Sequence, residues 1–241
     1  MNLVITMAGS GQRFKKAGYT IPKYQIEVNG KTLFEWSMLS FKGMNFSNYI
    51  FIVKKTDNAF DFIKTTLTKM GITDNISIIE LSDKTKGQAE SALMAKSIWN
   101  ENEELFIYNI DTYVKEYTFS NIEYKGYGFI PCFNAPGNHW SFVKLNENSK
   151  VVEIREKERI SDNCTIGLYY FKTAKLYEEL YNNYYIINSN KLDDNEYYIA
   201  PLYNQLIKDN KDIFINIIDK NDVFVLGTPE ELNAFKNLKT I

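Results

Sequence analysis

Short apolar runs alternate with helix-patterned segments through the first 110 residues, and this rhythm limits the fold more than any other feature of the chain. Leu3 to Met7, apolar but for Thr6, runs into Gly9. Tyr49 to Val53, Ile76 to Leu81 and Leu105 to Ile110 read as further strands. Runs of this kind suit strands covered on both faces, as in a parallel sheet. Between them lie Thr32 to Phe41, with Leu33, Trp36 and Leu39 on one face, and Asp57 to Met70, closed by Gly71. Gln88 to Trp99 follows, with Ala92, Ala95 and Trp99 aligned. These three read as helices that cover the sheet.

After Asp111 the rhythm changes. Tyr127 to Phe133, Trp140 to Leu145, Val151 to Ile154 and Thr165 to Phe171 are strand-like, with a turn at Asn146-Glu147-Asn148-Ser149. Leu176 to Tyr185 and Glu196 to Lys208 read as helices, and Ile213 to Ile218 and Val223 to Leu226 as strands. Pro229 to Leu238 is a last helix, opened by Thr228 as N-cap, Pro229 at N1 and an acidic first turn. The pattern predicts an α/β three-layer sandwich with a mixed, mostly parallel central sheet. No repeat or linker interrupts it, so one domain over 1–241 is expected.

The 241 residues are enough to bury a core without a disulfide or metal staple. Lys and Arg number 28 against 30 Asp and Glu, a net charge of -2, which argues against nucleic-acid binding through a general basic field. A small local phosphate site stays compatible with that balance. No run approaches a membrane span, and Met1 to Ala8 lacks the basic lead of a signal peptide. Cys132 and Cys164 match no metal spacing and suit reduced thiols in a cytoplasm. A single His139 excludes a His-rich metal site.

The sharpest segment is Ala8-Gly9-Ser10-Gly11-Gln12-Arg13, followed by Pro22-Lys23, directly after the first strand. Ligands of open parallel sheets bind beyond the carboxyl ends of the strands. Glycines there let backbone N–H groups approach an anion, Arg13 offers a fork of donors and Lys23 a compact charge. A tight strand-to-helix turn explains the glycines but not the two cations. Phe14 stands where a dinucleotide fingerprint needs its third glycine, and Gln12-Arg13-Phe14 is no Walker loop.

These residues resemble the nucleotidyltransferases that make sugar nucleotides and related activated phosphates, whose opening signature is Gly-x-Gly-x-Arg followed by Pro-Lys. Further similarity follows in order: Thr85-Lys86-Gly87-Gln88-Ala89, Asn109-Ile110-Asp111, Glu156-Lys157, Asn195-Glu196-Tyr197-Tyr198 and Gly227-Thr228-Pro229-Glu230-Glu231-Leu232. The resemblance implies the Rossmann-like nucleotide-diphospho-sugar transferase fold, with a nucleotide-binding half over 1–111 and an acceptor-binding half over 112–241. It implies a Mg²⁺-dependent, cytoplasmic enzyme that joins a nucleoside triphosphate to a phosphorylated small-molecule acceptor, with neither nucleic acid nor membrane as partner. A homo-oligomer stays open.

By the same resemblance, Arg13 and Lys23 are catalytic, and Ala8, Gly9, Ser10, Gly11, Gly87 and Gln88 hold the nucleotide. Asp111 holds the metal, and Glu156, Lys157 and Glu196 hold the acceptor. Plainer readings stand beside these. Asp111 suits a turn, Gln88 a first helical turn, Lys157 a solvated charged face, and Glu196 a helix cap. One position departs from the family: where many relatives carry a second metal aspartate, this chain has Val225, so Asp222 or Asp194 substitutes or Asp111 works with phosphates and water alone.

The compact length is similar to capsule and surface-polymer members of the family. That favours CTP as donor and either a sugar phosphate or a non-sugar phosphate such as phosphoglutamine or phosphocholine as acceptor. Trp140 to Val143 and Gly167 to Tyr170 would frame the acceptor, with Phe142 and Tyr170 expected as core. Two rivals are a glycosyltransferase of similar fold and a non-catalytic nucleotide-binding protein. The first lacks its Asp-x-Asp, since the run here is Asp111-Thr112-Tyr113.

Overall fold

The structure, a computed structural model, describes residues 1–187 and 196–238. Its first half contains β1 (Asn2–Thr6), α1 (Gln12–Lys16), β2 (Glu27–Val28), β3 (Lys31–Thr32), α2 (Leu33–Leu39), β4 (Asn48–Lys54), α3 (Phe60–Lys69), β5 (Ile76–Leu81), α4 (Gln88–Leu93) and β6 (Leu105–Asn109). There follow β7 (Thr112–Val114), β8 (Gly128–Phe133), β9 (Ser141–Leu145), β10 (Val151–Glu156), β11 (Cys164–Thr165), β12 (Leu168–Phe171) and α5 (Ala174–Tyr181). Then come α6 (Tyr203–Lys208), β13 (Ile213–Ile217), β14 (Val223–Val225) and α7 (Pro229–Lys236).

The main sheet runs β10-β9-β11-β8-β12-β6-β1-β4-β5, with β13 beside β8. Strands β6, β1, β4 and β5 pair in parallel. β12 inverts between β6 and β8, which returns β8, β13 and β9 to the direction of the first four and leaves β10, β11 and β12 opposed. The sheet is mixed and mostly parallel, as the alternation predicts.

Side chains of β1 go alternately to two cores, because successive strand residues face opposite ways. Leu3 and Ile5 join Phe34, Phe51, Ile63 and Phe106, while Val4 joins Ile52, Ala92, Ile107 and Tyr177. Burying one such side chain is worth about 1.5–3 kcal/mol. A third cluster places the site: Phe14, Leu33, Trp36, Tyr113, Leu226, Leu232 and Phe235 pack together and join α1 and α2 to β7, β14 and α7. Helices α1 and α2 are thereby fixed against α7. Among the described residues no helix is long and apolar enough to cross a membrane.

Several elements differ from expectation. The run Thr165 to Phe171 is two strands, since Gly167 takes a left-handed φ of 90° and interrupts the ladder between β11 and β12. The segment expected as a helix from Glu196 begins its α-helix at Tyr203, after a 3₁₀ turn over Ala200–Leu202. Its earlier backbone is taken elsewhere: Tyr197 N donates to Lys86 O and Tyr197 O accepts from Ala89 N, both at 2.9 Å. The helix expected to begin at Asp57 starts at Phe60, because Asn58 adopts a left-handed φ of 46°. The β2–β3 hairpin turns on Asn29-Gly30, with both residues at positive φ, the conformations an Asn-Gly turn favours.

Candidate active site

The loop after β1 opens the site. Met7 N donates to Ile52 O at 2.8 Å, holding the strand end in place before the chain turns through Ala8, Gly9 and Ser10. Gly11 caps α1 with a left-handed φ of 63°, a conformation glycine adopts without steric cost. A side chain at Gly9 would meet nothing within 4 Å, so its backbone faces open space. Phe14, 2% exposed, pins the short helix into the third cluster and leaves Arg13 at the surface. Gly9, Ser10, Gly11, Lys15 and Lys23 line a cleft of about 290 Å³ together with Lys54, Thr56 and Asp57.

Lys23 follows Pro22 in a 3₁₀ turn over Lys23–Gln25. The turn is anchored by the buried Tyr24, whose hydroxyl donates to Asp57 Oδ2 at 3.0 Å. Lys23 Nζ reaches across the site to Asp111 Oδ2 at 2.6 Å. Asp111 stands just beyond β6. Its Oδ1 accepts from Asn109 Nδ2 at 2.8 Å and its backbone oxygen from Leu226 N at 2.8 Å. Burial opposes ionisation of Asp111, but the charge and hydrogen bond of Lys23, with the charge of Arg13 behind them, outweigh it and hold the carboxyl below the usual aspartate range. The structure therefore gathers the glycine loop, both expected cations and Asp111 at one mouth of the sheet.

Gly87 and Gln88 lie at the start of α4. A Cβ on Gly87 would sit 2.5 Å from Tyr197 O, so only glycine lets the two backbones meet there. Gln88 Nε2 donates to Thr6 Oγ1 at 3.1 Å, which ties the amide to the end of β1.

The expected acceptor residues form a second group. Glu156 accepts a hydrogen bond from Ser141 Oγ. Lys157, at a left-handed φ of 56°, donates to the Tyr198 hydroxyl, which donates in turn to Glu196 Oε2 at 2.5 Å. Lys157 Nζ also lies 3.9 Å from Glu196 and 4.5 Å from the centre of the Tyr198 ring. Phe142 and Tyr170 are buried and belong to the core. The close contact of Gly87 with Tyr197 connects this group to the Gln88 side of the site.

Of the expected substitutes for Val225, Asp222 is turned away. It pairs with Lys115 at 3.3 Å, beyond the β7–β14 register that sets Val225 against Thr112 and Val223 against Val114. Asp194 lies outside the described residues, as does Asn195. Among the described residues no group of three or more His, Cys, Asp or Glu stands ready to hold a metal. Three features at Asp111 nonetheless suit a cation. Asn109 Oδ1 and Glu231 Oε2 are buried without a hydrogen-bond partner. A Cβ on Gly227 would fill the space 3.0 Å from Asp111 Oδ2. Sequence reasoning missed Glu231, Thr6 and Ser141. For Glu231 the signal was its place three residues after Thr228, which reads equally as a helix cap.

The family model described as nucleotidyl transferase matches residues 3–215. The chain belongs to the nucleotidyl transferase family. Among solved structures, the nucleoside-diphosphate-sugar pyrophosphorylase from Vibrio cholerae RC9 is 34% identical, with a TM-score of 0.87 over 98% of this chain and 100% of that one. The inositol-1-phosphate CTP transferase from T. maritima shares the fold at a TM-score of 0.76, with 15% identity over 97% of this chain and 92% of that one. No curated protein matches the chain significantly. Within this nucleotidyl transferase, Lys23 meets Asp111 where the strands β1 and β6 end, the position at which open α/β sheets bind ligands.

Proposed function

We propose that this nucleotidyl transferase moves a nucleoside monophosphate from a nucleoside triphosphate, CTP favoured, to the phosphate of a small acceptor and releases pyrophosphate. An acceptor phosphate oxygen attacks the α-phosphorus, the bond to the β-phosphate breaks, and pyrophosphate leaves in line. Two anions must approach, so the protein's task is positive charge and alignment, and no nucleophilic side chain is needed. The observation that carries this reading is the Lys23–Asp111 pair at 2.6 Å beside the cleft of the glycine loop.

The backbone of Ala8 to Gly11 cradles the phosphates, and Arg13 takes the β and γ groups and the departing pyrophosphate. Lys23 moves from Asp111 to the α-phosphate, where charge builds. Asp111 is the principal protein ligand for Mg²⁺, consistent with the orphaned oxygens and the vacant space at Gly227. When bound, the ion neutralises phosphate charge and orients the groups in line.

Gly87 and Gln88 read the base. With one Nε2 hydrogen given to Thr6, Gln88 keeps its Oε1 as an acceptor suited to the exocyclic amine of cytosine and a second N–H as a donor for the base's ring nitrogen or carbonyl. Lys157 receives the acceptor's phosphate, with Glu156 and Glu196 on its polar groups. The acceptor is a sugar phosphate or a non-sugar phosphate such as phosphoglutamine or phosphocholine, and the product serves capsule or surface-polymer synthesis.

The test is pyrophosphate release with each of the four NTPs, Mg²⁺ and a panel of phosphorylated acceptors. Release with CTP above the other three is expected. Tight nucleotide binding with no release under any acceptor would favour a binding protein instead.

A further inference from the structure

Two helices of this chain begin with the same Thr-x-x-Glu spacing, and the two glutamates meet different fates. In α2 the box closes: Glu35 N donates to Thr32 Oγ1 at 3.2 Å, and Glu35 Oε2 accepts from Thr32 N at 2.8 Å. In α7 it does not. Glu231 N donates to Thr228 Oγ1 at 3.1 Å, but Glu231 Oε2 is buried with no hydrogen-bond partner. An orphaned carboxylate oxygen away from water is costly and calls for an explanation.

Its surroundings supply one. A Cβ on Gly227 would lie 3.0 Å from Asp111 Oδ2 and 3.6 Å from Glu231 Oε2, so the two oxygens are no further apart than the sum of those distances. Both border space that any other residue at 227 would fill. The bond from Leu226 N to Asp111 O, 2.8 Å, fixes the segment before α7 against the end of β6, so the approach is set by backbone. Asn109 holds Asp111 Oδ1 and leaves its own Oδ1 unpaired beside Gly167. Two carboxylate oxygens on one small space are hard donors, which divalent cations prefer.

We propose that Glu231 is the second protein carboxylate of the divalent-cation site, acting with Asp111 where Val225 cannot. The inference rests on the reading of Asp111 as a metal ligand. Glu231 reaches the ion from the first turn of α7, directly or through one water of its hydration shell, and Gly227 keeps the space between them open. The ion then joins the C-terminal helix to the end of β6.

The experiment is Mn²⁺ titration of the full chain, followed by the EPR signal of the free ion. The wild type is expected to show one saturable site, weakened at least tenfold by Glu231→Gln and by Asp111→Asn but unmoved by Asp222→Asn. Val225→Asp added to Glu231→Gln is expected to restore most of the affinity. Wild-type affinity in Glu231→Gln, with Asp111→Asn still impaired, overturns the role of Glu231 alone. An unaffected Asp111→Asn, or a wild type with no saturable site, overturns the metal reading as well. If Glu231→Gln does not fold, Glu231→Asp carries the test. It withdraws the carboxylate by one methylene, and at least threefold weaker binding is expected, with unchanged affinity counting against the proposal.

Discussion

Lys23 Nζ and Asp111 Oδ2, 88 positions apart in the chain, lie 2.6 Å from each other with less than a fifth of either side chain exposed. The pair keeps a cation and its counter-charge at the mouth of the sheet before any substrate arrives. In the proposed reaction, substrate phosphates would compete with Asp111 for Lys23, and a divalent cation would compete with Lys23 for Asp111. On that reading, the free protein stores each partner beside the place where the reaction would need it.

The first prediction concerns turnover. Lys23→Ala and Asp111→Ala are each expected to lower pyrophosphate release at least about a hundredfold, roughly 2.7 kcal/mol of barrier. Circular dichroism should show the fold retained, because the main cores do not depend on either side chain. Near-wild-type rates in both variants would remove the roles assigned to them.

A second prediction is a pH dependence of stability. Asp111 is held below the usual aspartate range in the folded chain, while in the unfolded chain its pKa is about 3.9. As pH falls, the unfolded state takes up the proton first. The stabilisation by Asp111 is therefore full above about pH 4 and disappears as pH drops through the lower folded value. In Lys23→Ala the attraction is lost and burial remains, so the variant is expected to trail the wild type in urea midpoint at pH 7. The gap should narrow at pH 3. An equal gap at both values would place the loss elsewhere.

Glycine substitutions separate structure from ligand binding. Gly87→Ala would drive a Cβ to 2.5 Å from Tyr197 O, and neither backbone can yield cheaply. A loss of about 1–3 kcal/mol is expected, read as a lower melting temperature. Gly9→Ala meets nothing within 4 Å and should change stability by less than about 0.5 kcal/mol. In the proposed site its methyl would occupy the approach to the phosphates, so weaker nucleotide binding by calorimetry is expected with an unchanged melting point.

The parallel half of the sheet was legible because each strand carries its own signal: β5 spans Ile76–Leu81, as its apolar run predicts. That the glycine loop, Lys23 and Asp111 lie together was legible too, since strand ends converge in such sheets. Glu196 to Tyr198 was not. Its pattern suits a helix, and the tertiary bonds of Tyr197 to Lys86 and Ala89 hold it outside one. Glu231 was hidden for a similar reason. Its spacing from Thr228 matches that of Glu35 from Thr32, and what separates a closed capping box from a buried, unpartnered oxygen is the packing around Gly227.

The last prediction uses the strained backbone at Lys157. This residue holds a left-handed φ of 56° beside a chain of bonds through Tyr198 to Glu196, and such a conformation costs a non-glycine residue about 1–3 kcal/mol. Its ion pair with Glu196 spans 3.9 Å between side chains more than half exposed, so the pair contributes about 0–1 kcal/mol. Lys157→Gly removes the strain and the charge together. The variant is expected to be at least as stable as the wild type by thermal denaturation, since relief of the backbone offsets the weak surface pair. Its KM for the acceptor should rise tenfold or more while the KM for the nucleotide stays within twofold. Lys157→Arg, which keeps the charge and the strain, should recover much of the acceptor affinity. A Lys157→Gly protein with a normal acceptor KM would leave the left-handed turn as a structural feature of the β10 end and move the acceptor site away from it.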